Sequence, residues 1–341
     1  MSNTRTRTIK PVRWGILGTA NIAVDQLIPA MHASPWCEPW AIGSRDLDKA
    51  RRCAREMGIP HAHDSYAAVL DDPEVEAVYI PLPNHLHVEY ARMAMDRGKH
   101  VLCEKPIAMT AAEAEVLADV PQGIVLGEAF MVRHQPRWVE LRKQLRDQAI
   151  GEVRAVQALL SFTLDSPGDF RLRREYGGGA IFDLGCYASM TTRYLFDTEP
   201  QRVMALIERD PEHEVDIRAT AILDYGQGRH ASFTVSTAMA ATQHLHVVGS
   251  TGAIDLPFPF APQQNASSTI IVDRARALNQ CAPEPQTFAP AAHYECEVTN
   301  FARVIRGESA PHFDIRDAIA NMRVLDALFA SGESGTWQPV T

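Results

Sequence analysis

The sequence predicts an α/β protein, with a doubly wound parallel sheet at the N-terminus and an α+β half built on a large, mostly antiparallel open sheet. Three observations carry this. Residues 11–128 alternate short apolar strand signals with helical ones across short loops, the pattern of βαβ units. From residue 129 on, long β-type stretches follow one another with polar, Gly or Pro breaks, which is the pattern of an antiparallel sheet. The length, 341 residues, suits about two domains.

The elements follow in order. Val12–Leu17 is a short apolar run and the first strand. Asn21–Ala33 carries Ile22, Leu27, Ile28 and Met31 at near-helical spacing, and Pro35 ends it. Cys37–Ile42 is the second strand. Leu47–Met57 is a helix with acids at its start and Lys49, Arg51, Arg52 and Arg55 after them, a polarity that suits its dipole, and it stops at Gly58-Ile59-Pro60. Ser65–Leu70 is a short helix and Val75–Ile80 a strand ending in Pro81-Leu82-Pro83. His87–Arg97 is a helix closed by Gly98, His100–Cys103 a strand, Thr110–Leu117 a helix and Ile124–Leu126 a strand. In the second half, Trp138–Asp147 is a helix. The strands are Val153–Thr163, Val203–Arg209, Val215–Tyr225, His230–Thr237, His244–Gly249 and Thr269–Asp273. Ile181–Phe196 and Ile315–Ala330 are helices, with a further piece near Tyr294–Arg306. Pro257–Pro262 and Ala282–Pro290 read as loops. This gives a polar tail over residues 1–10, a nucleotide-binding domain over 11–128 and an α+β domain over 129–341, with the break near Gly127–Arg133.

Composition excludes several classes. The chain is 46% hydrophobic and 22% charged, ordinary for a folded protein. Its 42 acidic and 33 basic side chains give a net charge of −9 with no basic run, so no nucleic-acid partner is expected. No apolar run approaches the ~18 residues of a membrane span, and MSNTRTRTIK lacks the apolar stretch of a secretory signal. The six cysteines form no C-x-x-C pair and read as reduced thiols of a cytoplasmic protein.

The first strand runs into Gly15-Ile16-Leu17-Gly18-Thr19-Ala20-Asn21-Ile22-Ala23. Glycine at a strand-to-helix turn lets the backbone approach a pyrophosphate, and the helix that follows presents free N–H groups. Gly15, Gly18, Thr19, Ala20, Asn21 and Ile22 therefore form the candidate dinucleotide cradle of a Rossmann unit. Strand two ends in Gly43-Ser44-Arg45. An acid there would favour NAD; a hydroxyl and a guanidinium suit the 2′-phosphate of NADP, although Asp46 works against it. The same residues also fit a helix N-cap Ser beside a solvated Arg.

Three groups are candidates for chemistry. Pro81-Leu82-Pro83-Asn84-His85-Leu86-His87 and Cys103-Glu104-Lys105-Pro106 both follow strands, where the ligand crevice of such a sheet lies. Proline pins the direction of Lys105, and Glu104 is placed to orient its ammonium. Read alone, a lysine in such a loop is more often a solvated surface charge. Gly177-Gly178-Gly179 precedes a helix that puts Asp183 and Tyr187 on one face, as a proton-handling pair or as an N-terminal acid favoured by the dipole and a half-buried phenol. His61/His63, His85/His87 and His244/His246 each share a strand face, but the spacing offers no third ligand and no metal is expected.

In this order and spacing, GILGTANIA, GSRDLDKA, PLPNHLH, CEKP, EAFMVRHQP and GGGAIFDLGCY resemble the Gfo/Idh/MocA oxidoreductase family over residues 11–330. Tyr187, where many relatives carry His, resembles the branch of glucose–fructose and aldose–aldose oxidoreductases, NADP-dependent xylose dehydrogenases, dihydrodiol dehydrogenases and keto-sugar reductases. Gln135, where relatives often show His, and the lack of a twin-arginine signal are departures. The resemblance implies hydride transfer between NADP, less readily NAD, and a sugar carbon. It implies Lys105, Tyr187 and Asp183 as catalytic residues. Tyr66, Leu82, Asn84, His87, Glu104, Lys105 and Arg171 would join the cofactor site, and the sheet of the second half would form a homodimer or a dimer of dimers. On this reading Lys105 lowers the phenol pKa of Tyr187 by ~1–3 units, and Asp183 bonds the sugar hydroxyls and holds the Tyr187 and Lys105 arrangement. The alternatives are a cofactor-binding regulator on the same scaffold and a transferase, the latter disfavoured by Lys105-Pro106. The loops Asp165–Glu175 and Leu256–Thr269 carry no readable substrate code.

Overall fold

Six strands make the parallel sheet: β1 (Val12–Leu17), β2 (Cys37–Gly43), β3 (His61–His63), β4 (Ala77–Ile80), β5 (His100–Cys103) and β6 (Leu126–Glu128), in the order β3-β2-β1-β4-β5-β6. The computed structural model describes residues 9–262, 266–275, 277–311 and 314–341. Residues 1–8 of the expected polar tail and 263–265 of the loop Leu256–Thr269 therefore lie outside the described residues. The strands are apolar because helices cover both faces; all four residues of β4 are buried. The sequence reading missed β3: His-Ala-His has no apolar run, and it lies at the sheet edge, half exposed.

The crossovers are α1 (Ile28–Ala33), α2 (Leu47–Met57), α3 (Tyr66–Asp71), α4 (His87–Asp96) and α5 (Ala111–Glu115). Asp46 caps α2 by accepting the Lys49 N–H at 3.0 Å, and Ser65 and Thr110 cap α3 and α5 in the same way. A π turn, Ala23–Leu27, leads into α1 where one continuous helix was expected.

After α6 (Pro136–Arg146), the second sheet comprises β7 (Val153–Thr163), β8 (Arg202–Arg209), β9 (Asp216–Asp224), β10 (His230–Ser236), β11 (Ala238–Gly249), β12 (Ala253–Pro257), β13 (Ser268–Asp273), β14 (Pro283–Phe288) and β15 (Gln338–Pro339). The order is β14-β13-β12-β11-β7-β10-β9-β8-β15, antiparallel except for the β7–β10 pair. The segment expected as a loop over Ala282–Pro290 is the outer strand β14. Its prolines at 283 and 285 are tolerated because an edge strand does not need every N–H.

A second π turn, Ile181–Gly185, leads into α7 (Cys186–Phe196), every residue of which is buried. α8 (His293–Ile305) returns to the first sheet. Phe301 meets the buried Trp14 ring at 5.5 Å, and the Ser34 and Thr299 hydroxyls are 2.7 Å apart. Truncating such a ring would cost about 3–5 kcal/mol. The two halves are thus joined by packing as well as by chain. α9 (Ile315–Ser334) packs on α5, α7 and β8. Among the described residues, no helix is long and apolar enough to cross a membrane.

Candidate active site

The sheet order reverses between β1 and β4, and the crevice beyond their carboxyl ends is where such sheets bind ligands. There a cavity of about 1350 Å³ lies between the turn after β1 and a wall formed by β7 and β11. Gly18 turns the chain at φ +113, a conformation L side chains rarely adopt, and a Cβ there would crowd Leu82 Cδ2 at 3.4 Å. Thr19, Ala20, Asn21 and Ile22 then line the cavity at the helix start, where first-turn N–H groups lack helical acceptors. These residues fit a dinucleotide.

Gly15 does not belong to this cradle. It lies inside β1, and its missing side chain makes room for Val69 Cγ1, 2.5 Å from where a Cβ would stand. Ser44 is buried and its Oγ accepts the Asp46 N–H at 3.2 Å; Arg45 is exposed. Tyr66 reaches the Gly18 turn and stacks edge-on against Tyr90 at 5.3 Å. Lys49, which the motifs did not flag, also lines the cavity.

Deeper in, two strand ends and the π turn meet. Lys105 Nζ donates to Asp183 Oδ1 and to the Asp183 carbonyl, each at 2.9 Å. Arg171 Nε donates to Asp183 Oδ2 at 2.9 Å, and Asp169 in turn receives the Arg171 Nη1. Burial opposes charge on Asp183, but Lys105 and Arg171 hold its carboxyl below the ordinary range. Burial likewise opposes the Lys105 ammonium, and the Asp183 charge more than offsets it. Asp183 is therefore an ionised clamp that holds Lys105, as expected, and both of its oxygens are engaged by Lys105 and Arg171. The Lys105–Pro106 peptide bond is cis.

Tyr187 shares the face with Asp183, as its spacing requires. Lys105 Nζ stands 4.9 Å from the centre of the Tyr187 ring, not at its oxygen, which donates to Met131 Sδ at 3.1 Å. Burial pushes the phenol well above the ordinary tyrosine value. The phenol is thus raised where a lowering by Lys105 was expected: the ammonium charge is held by Asp183, and the phenol is desolvated.

Glu104 does not reach the ammonium. It accepts from Tyr79 Oη at 2.6 Å and from the Lys105 N–H at 3.3 Å, so it fixes the backbone that carries the lysine. His87 is fully buried and outside the cavity lining. Its Nδ1 lies 2.7 Å from the Pro106 carbonyl and its Nε2 2.7 Å from that of Leu82, tying the two loops together. Burial lowers its pKa to about 4. Asn84 and Leu82 do line the cavity, and Asn84 Nδ2 donates to the Gly177 carbonyl at 2.8 Å. Gly179, at φ +110, leaves space for the Asp216 carboxylate, which receives the Ile181 N–H at 2.6 Å and anchors the start of the π turn.

The opposite wall comes from Leu160, Ser161 and Phe162 of β7, Thr242 and Gln243 of β11, the turn after β12, and Tyr294 of α8. No local motif marks these residues; they converge only through the sheet order. β12 also supplies the acid absent from the spacing around His244 and His246. Asp255 Oδ1 lies 3.2 Å from His244 Nε2 and 2.7 Å from His246 Nδ1. Among the described residues, no group of three or more His, Cys, Asp and Glu side chains is arranged to hold a metal ion.

Comparison with known proteins agrees with this geometry. Residues 12–122 match the model of the oxidoreductase family with an NAD-binding Rossmann fold, and residues 138–255 match the GFO/IDH/MocA C-terminal domain. The chain is 38% identical over 327 residues to D-xylose 1-dehydrogenase (NADP(+)) 2 of Haloferax volcanii, covering 94% of this chain and 98% of that one. It superposes on KijD10, a 3-ketoreductase from Actinomadura kijaniata solved with NADP and TDP-benzene, with TM-score 0.86 and 30% identity over 94% of this chain and 98% of that chain. Aldose–aldose oxidoreductase from Caulobacter crescentus, solved with glycerol, gives TM-score 0.88 at 26% identity over 97% and 100%. The chain is an oxidoreductase and belongs to the Gfo/Idh/MocA family.

Proposed function

We propose that this protein is an NADP-dependent sugar oxidoreductase that transfers a hydride between the cofactor and C1 of a free aldose, interconverting aldose and lactone. The observation that carries the reading is the clamp at the cavity floor, where Lys105 is held by Asp183 against the ring of Tyr187. Ser44 and Arg45, with no acid at the end of β2, support NADP over NAD.

The bound nicotinamide supplies the hydride acceptor or donor at its C4. The chain's residues handle the rest. In reduction the neutral Tyr187 Oη–H gives its proton to the alkoxide that develops as hydride reaches C1, and a phenolate is left; oxidation is the reverse, in which Tyr187 must first release its proton to solvent so that the phenolate takes the O1 proton as the C1 hydride leaves. That oxygen must first exchange Met131 for a substrate oxygen. The fixed positive charge of Lys105 stabilises charge on the substrate oxygen.

Charge also selects the substrate class. The cations lining the cavity among the described residues are Lys49, Lys105 and Arg171, and Asp183 engages the last two. Little positive charge is left for a nucleotide diphosphate on the substrate side, which favours a neutral sugar over a nucleotide-linked keto-sugar. We also infer a homodimer through the outer face of the large sheet, where Leu206 is 72% exposed and Ile222 45%.

The test is to release and weigh the nucleotide of freshly purified protein, then follow reduced nicotinamide with a panel of aldoses. Steady reduction of added NADP+ by one aldose is the expected result. Retained nucleotide that cycles between two sugars would make the reaction a coupled one. Bound nucleotide with no aldose turned over would overturn the aldose reading.

A further inference from the structure

The substrate wall contains a backbone outlier. Phe258 adopts φ +49, in the left-handed region that disfavours a bulky aromatic residue. Burial does not repay this strain: the residue is 61% exposed, and it lines the cavity. The turn is nevertheless held firmly. Arg137, 1% exposed, donates Nη1 to the Pro257 carbonyl at 2.8 Å, and Nη2 to the carbonyls of Phe258 at 2.8 Å and Pro259 at 3.3 Å. Trp138 Nε1 donates to the Pro259 carbonyl at 2.8 Å. Gln243 Oε1 accepts the N–H groups of Phe260 and Ala261, both at 2.9 Å. Arg137 forms no ion pair among the described residues, and burial alone pushes its pKa down to about 10. A buried guanidinium is thus committed to three carbonyls of one strained turn. The same turn carries Phe260, whose ring lies 6.0 Å from that of Tyr187.

We propose that Phe258 is a substrate-binding platform whose ring stacks on the C–H face of a neutral monosaccharide and sets it against Tyr187. The partly positive C–H groups of a sugar ring face suit the negative face of an aromatic ring, and a ring carried on a backbone fixed by Arg137 leaves only its side-chain torsions to order on binding. This rests on the proposed sugar oxidoreductase activity.

The experiment compares Phe258→Gly and Phe258→Trp with the wild type in aldose-dependent NADP+ reduction, calorimetric sugar binding and thermal melting. Glycine takes φ +49 freely, so Phe258→Gly should keep or raise the Tm while raising KM for the aldose about tenfold. Its kcat and KM for NADP+ should stay within about twofold, and Phe258→Trp should restore the aldose KM. An unchanged aldose KM in Phe258→Gly overturns the platform alone. So does a parallel fall of kcat, affinity and Tm in both variants, which would make Phe258 a packing residue. A wild type that neither binds nor oxidises any monosaccharide overturns the proposed activity, and the platform with it.

Discussion

Lys105 and Asp183 hold each other at two points: the ammonium donates at 2.9 Å both to a carboxylate oxygen and to the backbone carbonyl of the same residue. Because the carbonyl belongs to the π turn ahead of α7, the lysine also reports the position of the helix that carries Tyr187. Lys105→Met removes the charge and keeps much of the volume. We expect kcat to fall by roughly 10²–10⁴-fold, with NADPH still bound by fluorescence titration. Near-normal turnover in a cofactor-loaded variant would take Lys105 out of the chemistry.

Tyr187→Phe separates chemistry from packing. The hydroxyl's partner is the Met131 sulfur, a weak acceptor, so its loss should shift stability by less than about 1 kcal/mol. Turnover should still fall by roughly 10²–10⁴-fold. Burial raises this phenol well above its ordinary value, so wild type and variant should show the same tyrosinate absorbance up to about pH 10 without ligand. A difference near neutral pH would mean that the lysine lowers this pKa after all.

Arg45 is exposed at the end of β2. On the proposed reading it partners the 2′-phosphate, which NADP carries and NAD lacks. Arg45→Ala should raise KM for NADP+ about tenfold, the loss of one charge-assisted hydrogen bond, and leave the NAD+ parameters as they were. Equal effects on both cofactors would remove Arg45 from the discrimination.

The cofactor half of the site was largely legible because each of its groups follows a strand by a few residues. Local pattern pointed to the Gly18–Ile22 turn, and the family resemblance pointed to Asn84 and Lys105; Thr19–Ile22, Asn84 and Lys105 all line the cavity. Gly15 and His87 do not line the cavity, and their surroundings depend on what packs behind them: Val69 in one case and two carbonyls in the other. The direction of the Tyr187 shift was illegible because desolvation is a property of the folded cavity. Of the substrate wall, the loops Asp165–Glu175 and Leu256–Thr269 were expected at the pocket and both contribute lining residues, but the rest was not legible. Phe258, Gln243 and Tyr294 lie on segments distant in the chain, with Arg137 bonded behind Phe258, and only the register of β7, β11 and β12 and the return of α8 bring them together.

That return of α8 carries a pH dependence. Arg306, just past its end, donates Nη1 to Glu76 Oε1 at 2.9 Å and Nη2 to Oε2 at 2.7 Å. Burial would raise the Glu76 pKa, but Arg306 and the Arg13 N–H hold it at about 2, below its ordinary 4.5. Above pH 4.5 the carboxylate is ionised in both folded and unfolded chains, and its stabilisation is complete. As pH falls from 4.5 towards 2, the unfolded chain takes up the proton first and the stabilisation is lost. With both side chains partly exposed, Arg306→Gln should cost roughly 1–2 kcal/mol at pH 7. Urea melts of wild type and variant should converge as pH falls through that window. A gap of the same size at every pH would instead assign the effect to the shape of the arginine, which also donates to the Pro11 carbonyl at 2.7 Å.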